Sequence, residues 1–279
     1  MNEENTSNAG KIIEAQAPRP TKVNKKKTSN NEKYVLYADI MGFKERVMRT
    51  KHADLKKELK GLRAKLENWF KPFVDNKDTF KVSFFSDSII IIDENTKDGF
   101  NRISKAAAGL MQVSLEYKFP INGVIAKGEF TYEEKKQFFF GRAIVDAYLL
   151  QLQVHYYGIV AHHSMEKDIN ALSNGWEENN KKVKGKNPYV LSPIPLKTGK
   201  TSHYHLAYNL INTKRETGKD VKATNDKIIS WLEEICGMVS GTPRIYVDNT
   251  LQVLKENLSL YMETQKEQGK VEFPLKAFE

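Results

Sequence analysis

The chain has one cysteine, Cys236, and therefore cannot close an internal disulfide. It has no CxxC pair and no His/Cys cluster of the kind that binds zinc. Both absences point to a reducing compartment. No apolar run approaches the roughly 20 residues that span a bilayer, and the first residues form no apolar leader. A soluble, cytoplasmic protein is expected, with no membrane partner. Internal repeats and sustained heptads are also missing, which excludes solenoid and coiled-coil architectures.

What the chain does have is apolar material for a core. Of its 279 residues 40% are hydrophobic and 10% aromatic, enough for one large domain or two smaller ones. The net charge is +9, but residues 1–33 hold +3 of it and the other 246 residues only +6. A second basic knot, "KKVKGK" at 181–186, lies in a polar segment. Nucleic acid is not the expected partner on this distribution. A mild positive field attracts nucleoside triphosphates equally well.

Residues 1–32 are rich in Asn, Lys, Thr, Ser and Glu and predict a disordered polar tail. From Glu45 to Phe73, apolar residues at three- and four-residue steps predict a helix, in one piece or two, with Pro72 at its end. "TFKVSFF" and "SIIII", parted by Ser-Asp-Ser, read as a hairpin. A helix follows over 98–116. "INGVIAKGEFTY" predicts two strands broken at Gly128, and Gly141 leads into a helix over 142–155. "YYGIVA" is a further strand and "HHSMEKDINAL" a short helix. Residues 174–187 read as loop, two more strands follow, and two helices separated by "SGTPR" close the chain. The order predicts an α+β fold of ferredoxin-like or palm type, a mostly antiparallel sheet covered by helices. The expected domains are 33–210 and a C-terminal helical extension over 211–279.

Within that frame two carboxylates stand out. Asp39 ends the apolar strand "YVLYADI", and Asp87 interrupts "FFSDSIIII" at the hairpin tip. A buried, unpaired carboxylate costs several kcal/mol, so Asp39 needs a partner, a neutral form or a place at the rim. A central strand beside a hairpin can bring both Asp residues to one edge. Two carboxylates there repel unless a cation or a shared proton lies between them. Mg²⁺ or Mn²⁺ prefers such oxygen ligands together with substrate phosphates. Two such ions clamp the attacking and leaving oxygens of an in-line phosphoryl displacement. Gly42 allows backbone to approach a ligand closely. Each Asp taken alone is equally well explained as a turn former or a strand-end cap.

"YADIMGF", "FFSDSIIII" and "INGVIAKGEF" followed by "FFFGRAIVDAYLL" resemble, in that order, the catalytic domain of class III nucleotide cyclases over about residues 34–165. "GRAIVDAY" and the C-terminal "YVDNTLQVL" are similar to the bacterial Pycsar pyrimidine cyclases. The resemblance implies two Mn²⁺ or Mg²⁺ ions held by Asp39, Asp87 and the main-chain carbonyl of Ile40. It implies backbone around Gly42 and Phe43 holding a triphosphate, and a head-to-tail homodimer with its sites at the subunit interface. The implied reaction is cyclisation of a pyrimidine nucleoside triphosphate to a 3′,5′-cyclic mononucleotide, cUMP being favoured over cCMP. The implied role is antiphage defence, through a separate effector that responds to the product.

The pattern also departs from its relatives. Purine cyclases carry Asn and Arg on the helix after the aromatic-Gly turn, and the corresponding positions are Val145 and Leu149, read here as packed core. The base-reading positions correspond to Ser83 and Phe138, a pair unlike a purine-reading one. Arg142 and Lys127 are the candidate catalytic cations, with Lys81 a third candidate for the phosphates. His162 and His163, adjacent and so expected to point apart, and the pair His203 and His205 read as structural, and Cys236 as core. Two other readings stay open: a catalytically silent cyclase-like module, and a palm-type nucleotidyltransferase that joins nucleotides intermolecularly.

Overall fold

The computed structural model describes residues 31–74, 79–136, 138–174, 176–178, 181–183, 187–211 and 221–267. The tail expected over 1–32 lies outside them except for Asn31 and Glu32. The first strand, β1 (Glu32–Ile40), is followed by α1 (Phe43–Arg49) and α2 (His52–Val74), so the long helical pattern is two helices. Pro72 sits inside the last turn of α2. The hairpin β2 (Lys81–Phe85) and β3 (Ser88–Glu94) leads to α3 (Lys97–Glu116), whose first turn is capped by the Thr96 side chain. Then come β4 (Ile121–Glu133), β5 (Phe138–Gly141) and α4 (Arg142–Gln151). Next are β6 (Ile159–Ala161), α5 (Glu166–Asn174), β7 (Trp176–Glu178) and β8 (Lys181–Val183). The chain continues through β9 (Tyr189–Leu196), β10 (Gly199–Leu206), α6 (Val221–Cys236) and α7 (Thr242–Glu267).

The main sheet runs β2-β3-β1-β4-β6-β10-β9, with β5 paired to β4. β1 is antiparallel to both β3 and β4, and β2 is antiparallel to β3. With α1 and α2 after β1 and α3 after β3, this is the split β-α-β-β-α-β arrangement of a ferredoxin-like or palm-type α+β fold. The β4–β6 pair is parallel. Gly128 does not break β4, which runs on through it, and Ala143 of α4 packs over that position. Part of the segment expected to be loop near 180 is the small β7–β8 pair.

Alternation along β1 divides the core. Tyr34, Leu36, Ala38 and Ile40 pack with Leu62, Leu66 and Phe70 of α2 and with Phe100, Ile103 and Leu110 of α3. Val35 and the half-buried Tyr37 face the other way, toward Ala143 of α4. Ile228 and Leu232 of α6 and Val247 and Leu254 of α7 join the first cluster, so no gap in the core marks residue 211. Residues from Asn31 onward form one compact unit. The stripe of Leu251, Leu254, Leu258 and Tyr261 is turned onto its own domain.

Candidate active site

Asp39 shares the α4-facing side of β1 with Val35 and Tyr37, one residue before the strand ends. Its neighbours across the sheet are Ser88 on β3 and Asn122 on β4. Asp87 occupies the two-residue turn between β2 and β3, where Ser86 takes the left-handed conformation at φ 55°. The amide of Ile40 donates to the carbonyl oxygen of Asp87 over 2.8 Å, which fixes the end of β1 against the hairpin tip. Strand pairing therefore brings Asp39, Ile40 and Asp87 to one corner of the sheet, as the sequence pattern requires.

Ser88 Oγ donates to Asp39 Oδ1 at 2.7 Å, and the Tyr37 hydroxyl lies 3.1 Å from Ser88 Oγ. Burial pushes the Asp39 carboxyl above its ordinary value, and the negative charge of Asp87 adds to the rise; the hydroxyls of Ser88 and Tyr37 act against it. Burial also pushes the Tyr37 hydroxyl up to about 12. Among the described residues neither Asp39 nor Asp87 has a cationic partner. Nor do three or more His, Cys, Asp or Glu side chains cluster to hold a metal by themselves among those residues. Two unneutralised carboxylates beside strand-end backbone suit an ion that completes its shell with water and phosphate oxygens, as Mg²⁺ and Mn²⁺ do.

Gly42 follows at φ 71°, and a side chain there would meet nothing within 4 Å. A left-handed turn with open space beside it suits glycine and leaves the start of α1 accessible. No side chain caps α1, so its first amides lack partners within the helix. Phe43 packs its ring onto the core, leaving its backbone at the turn. Ser83 pairs with Ile90, itself opposite Tyr37, and so lies on the Asp39 face two strands away. Lys81 is on that face as well, farther from the tip.

Other expected residues fall elsewhere. Lys127 is on the opposite face, opposite Tyr34, with Nζ 2.8 Å from Asp168 Oδ2. Its charge is spent on a nearly buried carboxylate, and its candidacy as a catalytic cation is corrected to a structural one. Phe138 pairs with Glu133, at the far end of β4 from Asn122. At about 3.3 Å per residue that is roughly 35 Å along the strand from Asn122. Arg142 begins α4 beside the middle of β4, next to Gly141 opposite Phe130 and Ala143 over Gly128, and is exposed, 3.3 Å from Asp146 Oδ2. A single chain therefore does not bring Phe138 or Arg142 to Asp39. Val145 and Leu149 are not packed core: they are 52% and 55% exposed, because the buried side of α4 is taken by Ala143 and Ala147.

Two of the histidines have partners within the fold. His205 is buried against Asn257 Oδ1 at 2.9 Å, and His162 bonds Ser164. The rings of His162 and His163 do not point apart but lie 3.9 Å from each other. Cys236 is partly buried against the core. Two site residues escaped the sequence reading, Tyr37 and Ser88. Their signal was present, since Tyr37 is two residues before Asp39 on the same side of the strand and Ser88 adjoins Asp87.

No protein-family model matches the sequence, and no curated protein matches it. Solved structures similar to it include the adenylyl cyclase CyaB from P. aeruginosa, at 13% identity and TM-score 0.41, covering 67% of this chain and 97% of that one. The monomeric guanylyl cyclase domain of the RhoGC fusion protein from Blastocladiella emersonii matches at 15% identity and TM-score 0.45, covering 63% and 94%. Adenylate cyclases from Trypanosoma brucei in their monomeric state match at 9% and 0.41, covering 68% and 92%. The α+β assignment stands on strand order and register, and these low similarities add nothing about chemistry.

Proposed function

We propose that the chain is a metal-dependent nucleotide cyclase that converts a pyrimidine nucleoside triphosphate, UTP before CTP, to the 3′,5′-cyclic mononucleotide and pyrophosphate. The observation that carries the reading is the pairing of Asp39 and Asp87 at one sheet corner without a cation, beside the open turn at Gly42. Bound Mn²⁺ or Mg²⁺, two ions per site, would supply Lewis-acid stabilisation of the α-phosphate and favour ionisation of the ribose 3′-hydroxyl. Asp39, Asp87 and the Ile40 carbonyl would hold the ions. Amides around Gly42 and Phe43 would orient the triphosphate. The 3′-oxygen attacks the α-phosphorus, the α–β bridging bond breaks, and pyrophosphate leaves with the electron pair. Ser83 would read the base.

The outward side of α4 supports a homodimer. Val145, Tyr148, Leu149 and Leu152 form an exposed apolar stripe on it, and Phe138 and Phe140 extend it at the far end of β4. A head-to-tail pair would bring Arg142 and Phe138 of one protomer toward the carboxylates of its partner. The sequence motifs further support a second-messenger role in antiphage defence, acting on a separate effector. No helix among the described residues is long and apolar enough to cross a membrane.

A second reading is favoured by Val145 and Leu149, whose exposed side chains cannot donate hydrogen bonds where purine cyclases have donors. It is a silent nucleotide-binding module of the same fold. Incubation with Mn²⁺ and each of the four ribonucleoside triphosphates, with products identified by mass, separates the readings. A cyclic pyrimidine mononucleotide, lost in Asp39→Ala and Asp87→Ala, is the expected result. Triphosphate binding without turnover would establish the silent module, and a linear or dinucleotide product the nucleotidyltransferase.

A further inference from the structure

Asp39 has no cation to fix its rotamer, yet its carboxylate is not loose. Ser88 Oγ donates to Oδ1 over 2.7 Å, and the Tyr37 hydroxyl stands 3.1 Å from the same oxygen of Ser88. A serine hydroxyl has one proton. With that proton on Asp39, Ser88 accepts from Tyr37, so the chain of bonds runs Tyr37 to Ser88 to Asp39. Hydrogen bonds in such a chain polarise and strengthen one another.

The Tyr37 ring is held in turn from outside. It lies edge-on to the ring of Tyr148, with centroids 5.5 Å apart and planes at 88°. Tyr148 is on α4 and 43% exposed, in the same apolar stripe as Val145, Leu149 and Leu152. The outward side of α4 is therefore linked to the Asp39–Ser88 pair through two packed rings, Tyr148 and Tyr37.

We infer that Tyr37 is a positioning residue that couples the outward side of α4 to the carboxylate of Asp39. The Tyr148 ring steadies the Tyr37 ring, and the Tyr37 hydroxyl, through Ser88, holds the carboxylate ready for the ion. The inference rests on the reading of Asp39 and Asp87 as metal ligands. It assigns the Tyr37 hydroxyl a task in metal binding, and the Tyr148 ring the task of holding Tyr37 in place for it.

The test is a titration of the full chain with Mn²⁺ alone, followed by paramagnetic broadening of the backbone amide signals of Ile40 and Ser88. Saturable broadening at both is expected for the wild type. Tyr37→Phe keeps the ring and its packing but removes the hydroxyl, and its Mn²⁺ affinity falls about tenfold, in the range for residues that orient a metal ligand. Its melting temperature is unchanged. Tyr148→Ala lowers the affinity about threefold, a weaker effect of the same kind, whereas Tyr148→Phe keeps the ring and the wild-type affinity. Wild-type affinity in Tyr37→Phe or in Tyr148→Ala overturns the coupling and leaves the metal reading standing. Absence of saturable broadening in the wild type overturns the metal reading and the coupling with it.

Discussion

Asp93 and Asp168 differ from Asp39 and Asp87 in what surrounds their charge, although all four belong to one sheet and its helices. Asp93 is fully buried at the end of β3 and receives Arg102 in two bonds, Nε to Oδ2 at 2.7 Å and Nη2 to Oδ1 at 2.6 Å. Asp168 on α5 receives Lys127 at 2.8 Å and the Tyr34 hydroxyl at 3.0 Å. Each of these has a cation from its own chain. Asp39 and Asp87 have each other and two hydroxyls. Asp93 and Asp168 have their counter-charge within the fold, and the absence of one at Asp39 and Asp87 is what the proposed metal site would supply.

The largest effect that sharpens this contrast is on stability. Asp93→Ala leaves the Arg102 guanidinium largely buried without its partner, a loss of about 3–5 kcal/mol. Thermal melting should fall by on the order of 10 °C for a unit of this size. Lys127→Met is milder, about 2–3 kcal/mol, because Tyr34 still donates to Asp168. Below its melting transition the Lys127→Met protein should keep cyclase activity within about threefold, since the side chain is on the wrong face for catalysis. A hundredfold loss with an unchanged melting curve would restore Lys127 to the reaction. Asp87→Ala should show the reverse pattern. Melting is nearly unaffected, and cyclic product formation with Mn²⁺ falls at least about 100-fold, the scale for losing one electrostatic anchor of the transition state.

The contrast also explains what the sequence could and could not reveal. The β-α-β-β-α-β order was legible because apolar periodicity and turn residues mark each element, and the order fixes Asp39 beside Asp87. Lys127 misled because spacing along β4 says nothing about which face is nearer α5. Once Lys127 is opposite Tyr34 its direction is determined, but that register depends on β1–β4 pairing across ninety-odd residues. Val145 and Leu149 misled for a related reason. An apolar residue on a helix reads as core, and α4 instead buries its small residues, Ala143 and Ala147, so that the larger ones face outward. Small residues on the buried side of an amphipathic helix, with large apolar ones outside, signal a helix pressed close to its sheet with a second surface to cover.

That second surface supplies the next prediction. Leu149→Glu places a charge in the exposed stripe of α4 without touching the core, so melting of the protomer should move little. If the stripe joins two protomers, burying that charge should weaken association about tenfold or more, read by sedimentation velocity. The proposed cyclase activity should then fall in parallel at low protein concentration, as it must if each site takes Arg142 and Phe138 from the partner. Unaltered association would place the dimer contact on another face.

The smallest effect tests the comparison at its centre. Burial raises the Asp39 carboxyl above the ordinary value of 3.8, so the folded state prefers the protonated form. Stability from this group is fully present below pH 3.8 and is lost as the pH rises through the raised folded value. Asp39→Asn removes the half-buried charge that the deprotonated form places at the sheet end, while the amide oxygen still accepts from Ser88. Above the raised folded value the variant should melt higher than wild type, and the gain should vanish as the pH falls below 3.8. Saturating Mn²⁺ should reverse the order, because only the wild type gains from the ion. The corresponding change at Asp93, Asp93→Asn, should lower melting at pH 7 with or without Mn²⁺, since Arg102 loses its counter-charge. A destabilised Asp39→Asn protein in the absence of metal would mean that Asp39, like Asp93, already has its compensation within the fold.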